Sequence, residues 1–214
     1  MRTQGTKALL TFAVIAGPLW VAVVILQMII RPGFDPSRHA VSLLSLGDLG
    51  WIQIASFILS GALVVLGAIG MRQALHPGRA GTWGPILIGL YGFGLMAAGI
   101  FPPDAMNGFP PGTQDVPGQM SGHGLLHFVF AAVAFLSVIV ASSIVFARRF
   151  ASLHRRGWVA YSIATGVSFF VTWVALGVTG SRVGWVSVLF AVAVVFGWAW
   201  ISIVAARLQR SAGQ

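Results

Sequence analysis

Residues 9–30, LLTFAVIAGPLWVAVVILQMII, pass without a single charged side chain and with one strongly polar residue, Gln27. About 20 apolar residues in an α-helix match the ~30 Å hydrocarbon core of a bilayer. The segment therefore reads as a membrane-crossing helix. It is too long for the apolar core of a cleavable signal peptide, and no small-x-small site follows it. Five further runs have the same character, at 51–71, 83–101, 123–147, 158–179 and 184–206. They are continuous and rich in Ala, Leu and Gly rather than alternating, which argues against strands.

The rest of the composition agrees. The 214 residues are 57% hydrophobic and 8% charged, with a mean hydropathy of +0.89. Soluble domains carry about 25% charged residues. The expected fold is an all-α integral membrane bundle of six transmembrane helices, forming a single membrane domain over residues 1–214. There is no cysteine, so disulfides, thiolate metal sites and thiol catalysis are excluded.

The net charge of +9 invites a nucleic-acid reading until the charges are placed along the chain. Six spans put both termini on one side. That side collects Arg2, Lys7, Arg72, Arg79, Arg148, Arg149, Arg155, Arg156, Arg207 and Arg210. The other side holds Arg31, Arg38 and Arg182, together with all four acids, Asp35, Asp48, Asp104 and Asp115. The positive-inside rule then puts both termini in the cytoplasm, with the protein in the plasma (inner) membrane. Membrane lipids are the expected partners, anionic ones in particular. A membrane-protein partner is a second expectation, and nucleic acid is not one. Trp20, Trp51, Trp83, Trp158 and Trp185 fall mostly near span ends, as interfacial aromatic belts do.

Two loops on the outer side, residues 31–50 and 102–122, are long enough to be functional. In the first, Val41, Leu43, Leu44 and Leu46 suggest a short interfacial helix beside Arg38 and His39, which could meet a lipid phosphate or an anionic ligand. In the second, GFPPGTQDVPG has turn chemistry and reads as a lid. Polar side chains inside spans are costly and usually face the bundle or a wet cavity. Gln27, Gln53, Ser56, Ser60 and Ser187 fall in the outer halves of their spans. Tyr161, Thr165, Ser168, Thr172 and Thr179 form a stripe along the fifth span, for which helix packing is the plainer explanation. Together these residues predict an outward-facing polar pocket built by spans two to five and the first two outer loops. Its candidate ligand-binding residues are Arg38, His39, Ser42, Gln53, Asp104, His123 and His127.

His123 and His127, four apart where SGHGLLHFVF opens the fourth span, share one helix face. With Asp104 they form a candidate zinc set, and His39 and Asp115 are further possible ligands. The spacing lacks the intervening Glu of the metalloprotease helix motif. No cofactor is therefore expected, and zinc is the alternative. Haem is not expected, because both histidines lie on one helix with no mid-membrane histidine opposite. A proton-handling role beside Asp104 is a third reading, and the sequence does not separate it from an Asp104 that simply binds a helix N-terminus or Arg38.

The order DPSRHAVSLLSLGDLGW, a span, GIFPPD, a loop containing Thr113, then GHGLLH resembles the bacterial multi-pass membrane proteins catalogued as domain of unknown function 998. The resemblance covers roughly residues 10–206. It implies a multi-helix membrane fold with marked positions at Ser42, Trp51, Phe101, Pro102, Asp104 and His127, and it brings no activity with it. Three functional classes remain: a binding protein for a lipid or partner, a metal-dependent membrane hydrolase using His123 and His127, and a small-solute or proton-coupled transporter.

Overall fold

The structure is a computed structural model that describes residues 2–114, 119–179 and 183–211. Its helices are α1 (Arg2–Ile30), α2 (Gly50–Leu75), α3 (Arg79–Ile100), α4 (Gly122–Val140), α5 (Ala147–Ser152), α6 (Arg156–Thr179) and α7 (Gly184–Ser211). A π-helical turn, Ala141–Phe146, joins α4 to α5, so Gly122–Ser152 is one continuous rod. Six rods are long and apolar enough to cross a membrane. The described residues contain no β-strand, only an isolated bridge between Met106 and Phe109. The chain is an all-α membrane bundle of six spans, as its sequence indicates.

Several helices outrun their apolar stretches. α1 begins at Arg2, and α2 continues past Met71 to Leu75. The apolar run marks contact with lipid, whereas a helix stops only where its backbone must. At the end of α2 that stop is Pro77, which forces the preceding His76 out of helical geometry to ψ 142°.

Gln209 near the end of α7 donates to the Lys7 carbonyl (3.0 Å) and to Thr11 Oγ1 (2.7 Å) near the start of α1. Both ends of the chain thus meet at one end of the bundle, the terminal face. The two long loops close the other end, the loop face.

Small residues set how closely the rods approach, because helices in lipid gain from tight van der Waals contact rather than from exclusion of water. A methyl group on Gly67 of α2 would overlap Ala13 of α1, and one on Gly70 would press on Leu10. With the Gln27–Gln53 hydrogen bond, these contacts fix an antiparallel register in which paired positions sum to 80. That register places Val24 opposite Ser56 and Trp20 opposite Ser60. Gly61 and Gly92 bring α2 against α3, Gly94 admits Ala134 of α4, and Gly17 receives Trp198 and Ser202 of α7. One buried stripe on α1 (Leu10, Ala13, Gly17, Trp20, Val24, Gln27) therefore serves both α2 and α7.

Candidate functional site: a capped polar seam

The loop face is a built cap. Arg31 follows α1 directly, is buried at 7% exposure, and donates to the carbonyls of Leu44 (3.0 Å) and Leu46. Its guanidinium lies over Phe109, 5.4 Å from the ring centre. Burial holds Arg31 below its ordinary pKa, and the charge of Asp48 offsets part of that pull. Gly47, at φ +71°, lets the chain turn against Arg31 and Pro110. The segment expected as an interfacial helix is a 3-10 turn, Val41–Ser45, with Leu43 and Leu44 buried. Two carbonyls bonded to a buried cation draw it into the bundle rather than along the membrane surface. Ser42 is half-buried in this turn, and its carbonyl accepts from Ser45 Oγ.

His39 ties the two loops together. The Asp35 N–H donates to His39 Nδ1 (2.9 Å), so the ring proton sits on Nε2 and is donated to the Asn107 carbonyl (3.0 Å). Asn107 Nδ2 in turn donates to the Arg38 carbonyl (3.1 Å). The imidazole is 5% exposed, between Phe34 and Phe109. Both ring nitrogens are occupied, which leaves no lone pair for a metal. Asp35 accepts from the hydroxyl and the N–H of Ser37, and these bonds hold its carboxyl below the usual range. Phe109, fully buried, pins residues 108–114, the described part of the loop read as a lid. Asp115 lies outside the described residues.

Asp104 caps α4. Its carboxylate accepts from Ser121 Oγ (2.6 Å) and from the Ser121 N–H (2.8 Å), while Ser121 Oγ accepts from the Gly124 N–H (3.0 Å). A Cβ on Gly124 would overlap the carboxylate, so only glycine allows this approach. The Ser121 hydroxyl, then its N–H, holds the Asp104 pKa below the ordinary carboxylate value; desolvation opposes this and His123 adds a smaller favourable charge. A carboxylate at a helix N-terminus also complements the positive end of the helix dipole.

The two histidines have different settings. His123 is exposed, against the Phe101 ring (centroids 5.6 Å apart). His127 is buried, and its Nδ1 donates to the carbonyls of Phe101 (2.8 Å) and Ala98 (3.1 Å) at the end of α3. It thereby satisfies two carbonyls that a helix C-terminus leaves unpaired. Among the described residues, no three His, Cys, Asp or Glu side chains are grouped to hold a metal ion.

Beneath the cap the chemistry changes. Gln27 Nε2 donates to Gln53 Oε1 (2.7 Å), with both side chains fully buried between α1 and α2. Six buried polar atoms have no hydrogen-bond partner among the described residues: Gln27 Oε1, Gln53 Nε2, Ser56 Oγ, Ser60 Oγ, Trp20 Nε1 and Trp198 Nε1. The α1–α2 register orders them by depth. The two amides lie nearest the cap, Ser56 one turn below, and Ser60 level with Trp20 a turn further in. The Trp20 and Trp198 rings stack at 5.4 Å, and Tyr91 of α3 meets Trp198 edge-on at 5.4 Å. From Gln27 to Trp20 is seven residues, about 10 Å of helix.

The sequence placed the pocket among spans two to five; the unpaired atoms line the seam of α1, α2 and α7. Gln53 is the candidate residue shared by both. Trp20, read with the interfacial belt, is a mid-helix residue at 4% exposure, whereas Trp51, Trp83 and Trp185 are more than half exposed. Trp198 lies in the middle of an apolar run, and only its pairing with Trp20 gives it meaning. The polar stripe of α6 serves its own backbone: Thr165, Ser168 and Thr172 donate to the carbonyls of Tyr161, Thr165 and Ser168. Ser162, off that stripe, accepts from Trp200 Nε1 (3.0 Å).

Comparison with curated proteins and with solved structures finds no match. The family model described as "Protein of unknown function (DUF998)" matches residues 14–207. That span includes all six residues of the polar seam, and the chain belongs to this DUF998 family.

Proposed function

We propose that the protein is a membrane-embedded binding protein that holds the neutral, hydrogen-bonding group of a lipid-soluble molecule in the α1–α2–α7 seam beneath the loop-face cap. In this reading both termini face the cytoplasm and the protein occupies the plasma membrane, which the bias of ten basic residues to the terminal face supports. The observation that carries this reading is the column of six unpaired buried atoms. An unpaired buried polar group costs about 1–3 kcal/mol, and native proteins retain only a few. Here they are gathered rather than scattered.

The chemistry of the column selects its ligand. Two indole N–H groups and the Gln53 amide donate, Gln27 Oε1 accepts, and the two serine hydroxyls do either. No ionisable side chain is among the six, so an ionic group would enter without the partner that burial demands. The hydrolase alternative asks Asp104, His123 and His127 to share an ion, whereas Asp104 and His127 are engaged at helix ends. A transporter would need free polar groups through the depth of the membrane, and the α6 stripe that runs through it is bonded to its own helix.

The test is thermal unfolding in mild detergent, with and without the chloroform-soluble fraction of the host's membranes. A ligand that binds only the folded state at 100 times its Kd adds about 2.7 kcal/mol. At this chain length that raises the Tm by roughly 5–10 °C. Wild type should show the rise and a Gln27→Leu/Gln53→Leu variant should not. Equal behaviour of the two overturns the reading.

A further inference from the structure

A second site lies at the opposite end of the molecule, in a groove of about 570 Å³ between the start of α3 and the α4–α5 rod. Its lining is layered. Arg79, Arg148 and Arg149 form the rim at the terminal face, and Trp83, Ile144 and Val145 form the wall. Trp83 follows Arg79 by four residues, and Ile144 precedes Arg148 by four. On each side the apolar layer therefore lies one helical turn, about 6 Å, deeper in the membrane than the guanidinium layer.

Two features of the groove point to an anion, and a third to an apolar tail attached to it. First, the four acids, Asp35, Asp48, Asp104 and Asp115, all fall in the two long loops at the other end, so no Asp or Glu side chain of the terminal face neutralises these arginines. Second, the α3 N-cap is Gly78, which offers no side chain to the first-turn amides, so the positive end of the helix dipole faces the same rim. Third, the wall is formed partly by the π turn Ala141–Phe146, a local widening that turns Ile144 and Val145 into the groove. Trp83 and Ile144 remain 56% and 43% exposed there, an apolar surface at the depth where acyl chains begin.

We infer that this groove is a binding site for an anionic phospholipid, with its phosphate among Arg79, Arg148 and Arg149 and the upper part of an acyl chain against Trp83 and Ile144. Guanidinium groups match phosphate geometry through paired N–H donors, and a basic recess at a membrane interface is how anionic headgroups are held. The apolar layer one turn below the rim favours a lipid over free phosphate. The site shares no residue with the polar seam, so either can fail without the other.

Native mass spectrometry of the purified full chain tests this, with phosphatidylglycerol and phosphatidylcholine of matched acyl chains as probes. Wild type should retain phosphatidylglycerol at least about fivefold better than phosphatidylcholine. An Arg79→Gln/Arg148→Gln/Arg149→Gln variant should lose that preference, at about fivefold per arginine removed. A control removing equal charge outside the groove, Arg155→Gln/Arg156→Gln/Arg210→Gln, should keep it. All six side chains lie at least partly in solvent, so both variants should retain the fold, which matching Tm values confirm. Millimolar inorganic phosphate should not displace the lipid, and displacement would reassign the groove to free phosphate. Equal retention of the two lipids by wild type, or equal losses in the two variants, overturns the proposal.

Discussion

Gln27 and Gln53 bond to each other across the α1–α2 seam at 2.7 Å, yet each keeps one polar atom, Oε1 and Nε2, without a partner among the described residues. The pair is thus half-satisfied in a place where full satisfaction is the rule. Replacing either residue alone by Leu strands the other amide and should cost about 1–2 kcal/mol. Replacing both removes every polar group at that level, and the cost should be well below the sum. A double-mutant cycle on detergent-solubilised protein, read as Tm, checks this through a coupling of about 0.5–1.5 kcal/mol.

Trp20→Phe and Trp198→Phe keep an aromatic ring in the 5.4 Å stack and delete an unpaired indole N–H. Stability without ligand should therefore change little, within about 1 kcal/mol. The stabilisation by membrane extract should fall in each variant. Trp200→Phe is the contrasting case, because its N–H is bonded to Ser162. It should lose about 1 kcal/mol more stability than either of those variants and leave the ligand response intact.

Asp104→Asn keeps the shape of the α4 cap and removes its charge. The folded carboxyl titrates below its unfolded value, so its contribution is present above the ordinary carboxylate pKa of about 3.9 and fades as pH falls through the lower folded value. Near neutral pH the variant should be less stable than wild type, by up to about 1 kcal/mol. As pH falls through that lowered folded value the two curves should converge. Unfolding across pH 2.5–7 distinguishes this from a structural role independent of charge, which would keep them parallel.

Arg31→Lys retains the cation but loses the fork that reaches the Leu44 and Leu46 carbonyls together. A cost of about 2–3 kcal/mol is expected from charge-assisted bonds to buried carbonyls. Amide exchange should show the Val41–Leu46 segment opening first, because its anchor is the group replaced.

Much of the architecture was legible because lipid leaves the backbone few options: a long uncharged run must be a helix. Asp104 was legible only as a residue of interest, because one sequence allows a cap for the helix opened by SGHG, a metal ligand and a proton partner alike. Which faces meet was not. Gln27 and Gln53 are both recognisable as polar residues in outer half-spans, but their pairing follows from Gly67 against Ala13 and Gly70 against Leu10. Serine and threonine positions alone did not separate the self-bonded stripe of α6 from the unpaired Ser56 and Ser60 of α2. That difference lies in the side-chain rotamer, because every serine inside a helix has a preceding-turn carbonyl within reach and only packing decides whether the hydroxyl turns to it. The tryptophans were hardest, because Trp20 and Trp51 look alike in sequence and only packing makes one buried and the other lipid-facing.

The most direct measurement is native mass spectrometry of the wild-type protein released gently from its membrane, set against Gln27→Leu/Gln53→Leu and Ser56→Ala/Ser60→Ala. The account predicts a neutral, chloroform-soluble adduct on wild type that is lost or sharply reduced in both variants while their folds persist. A wild-type protein that carries no such molecule, or variants that carry it undiminished, would contradict it.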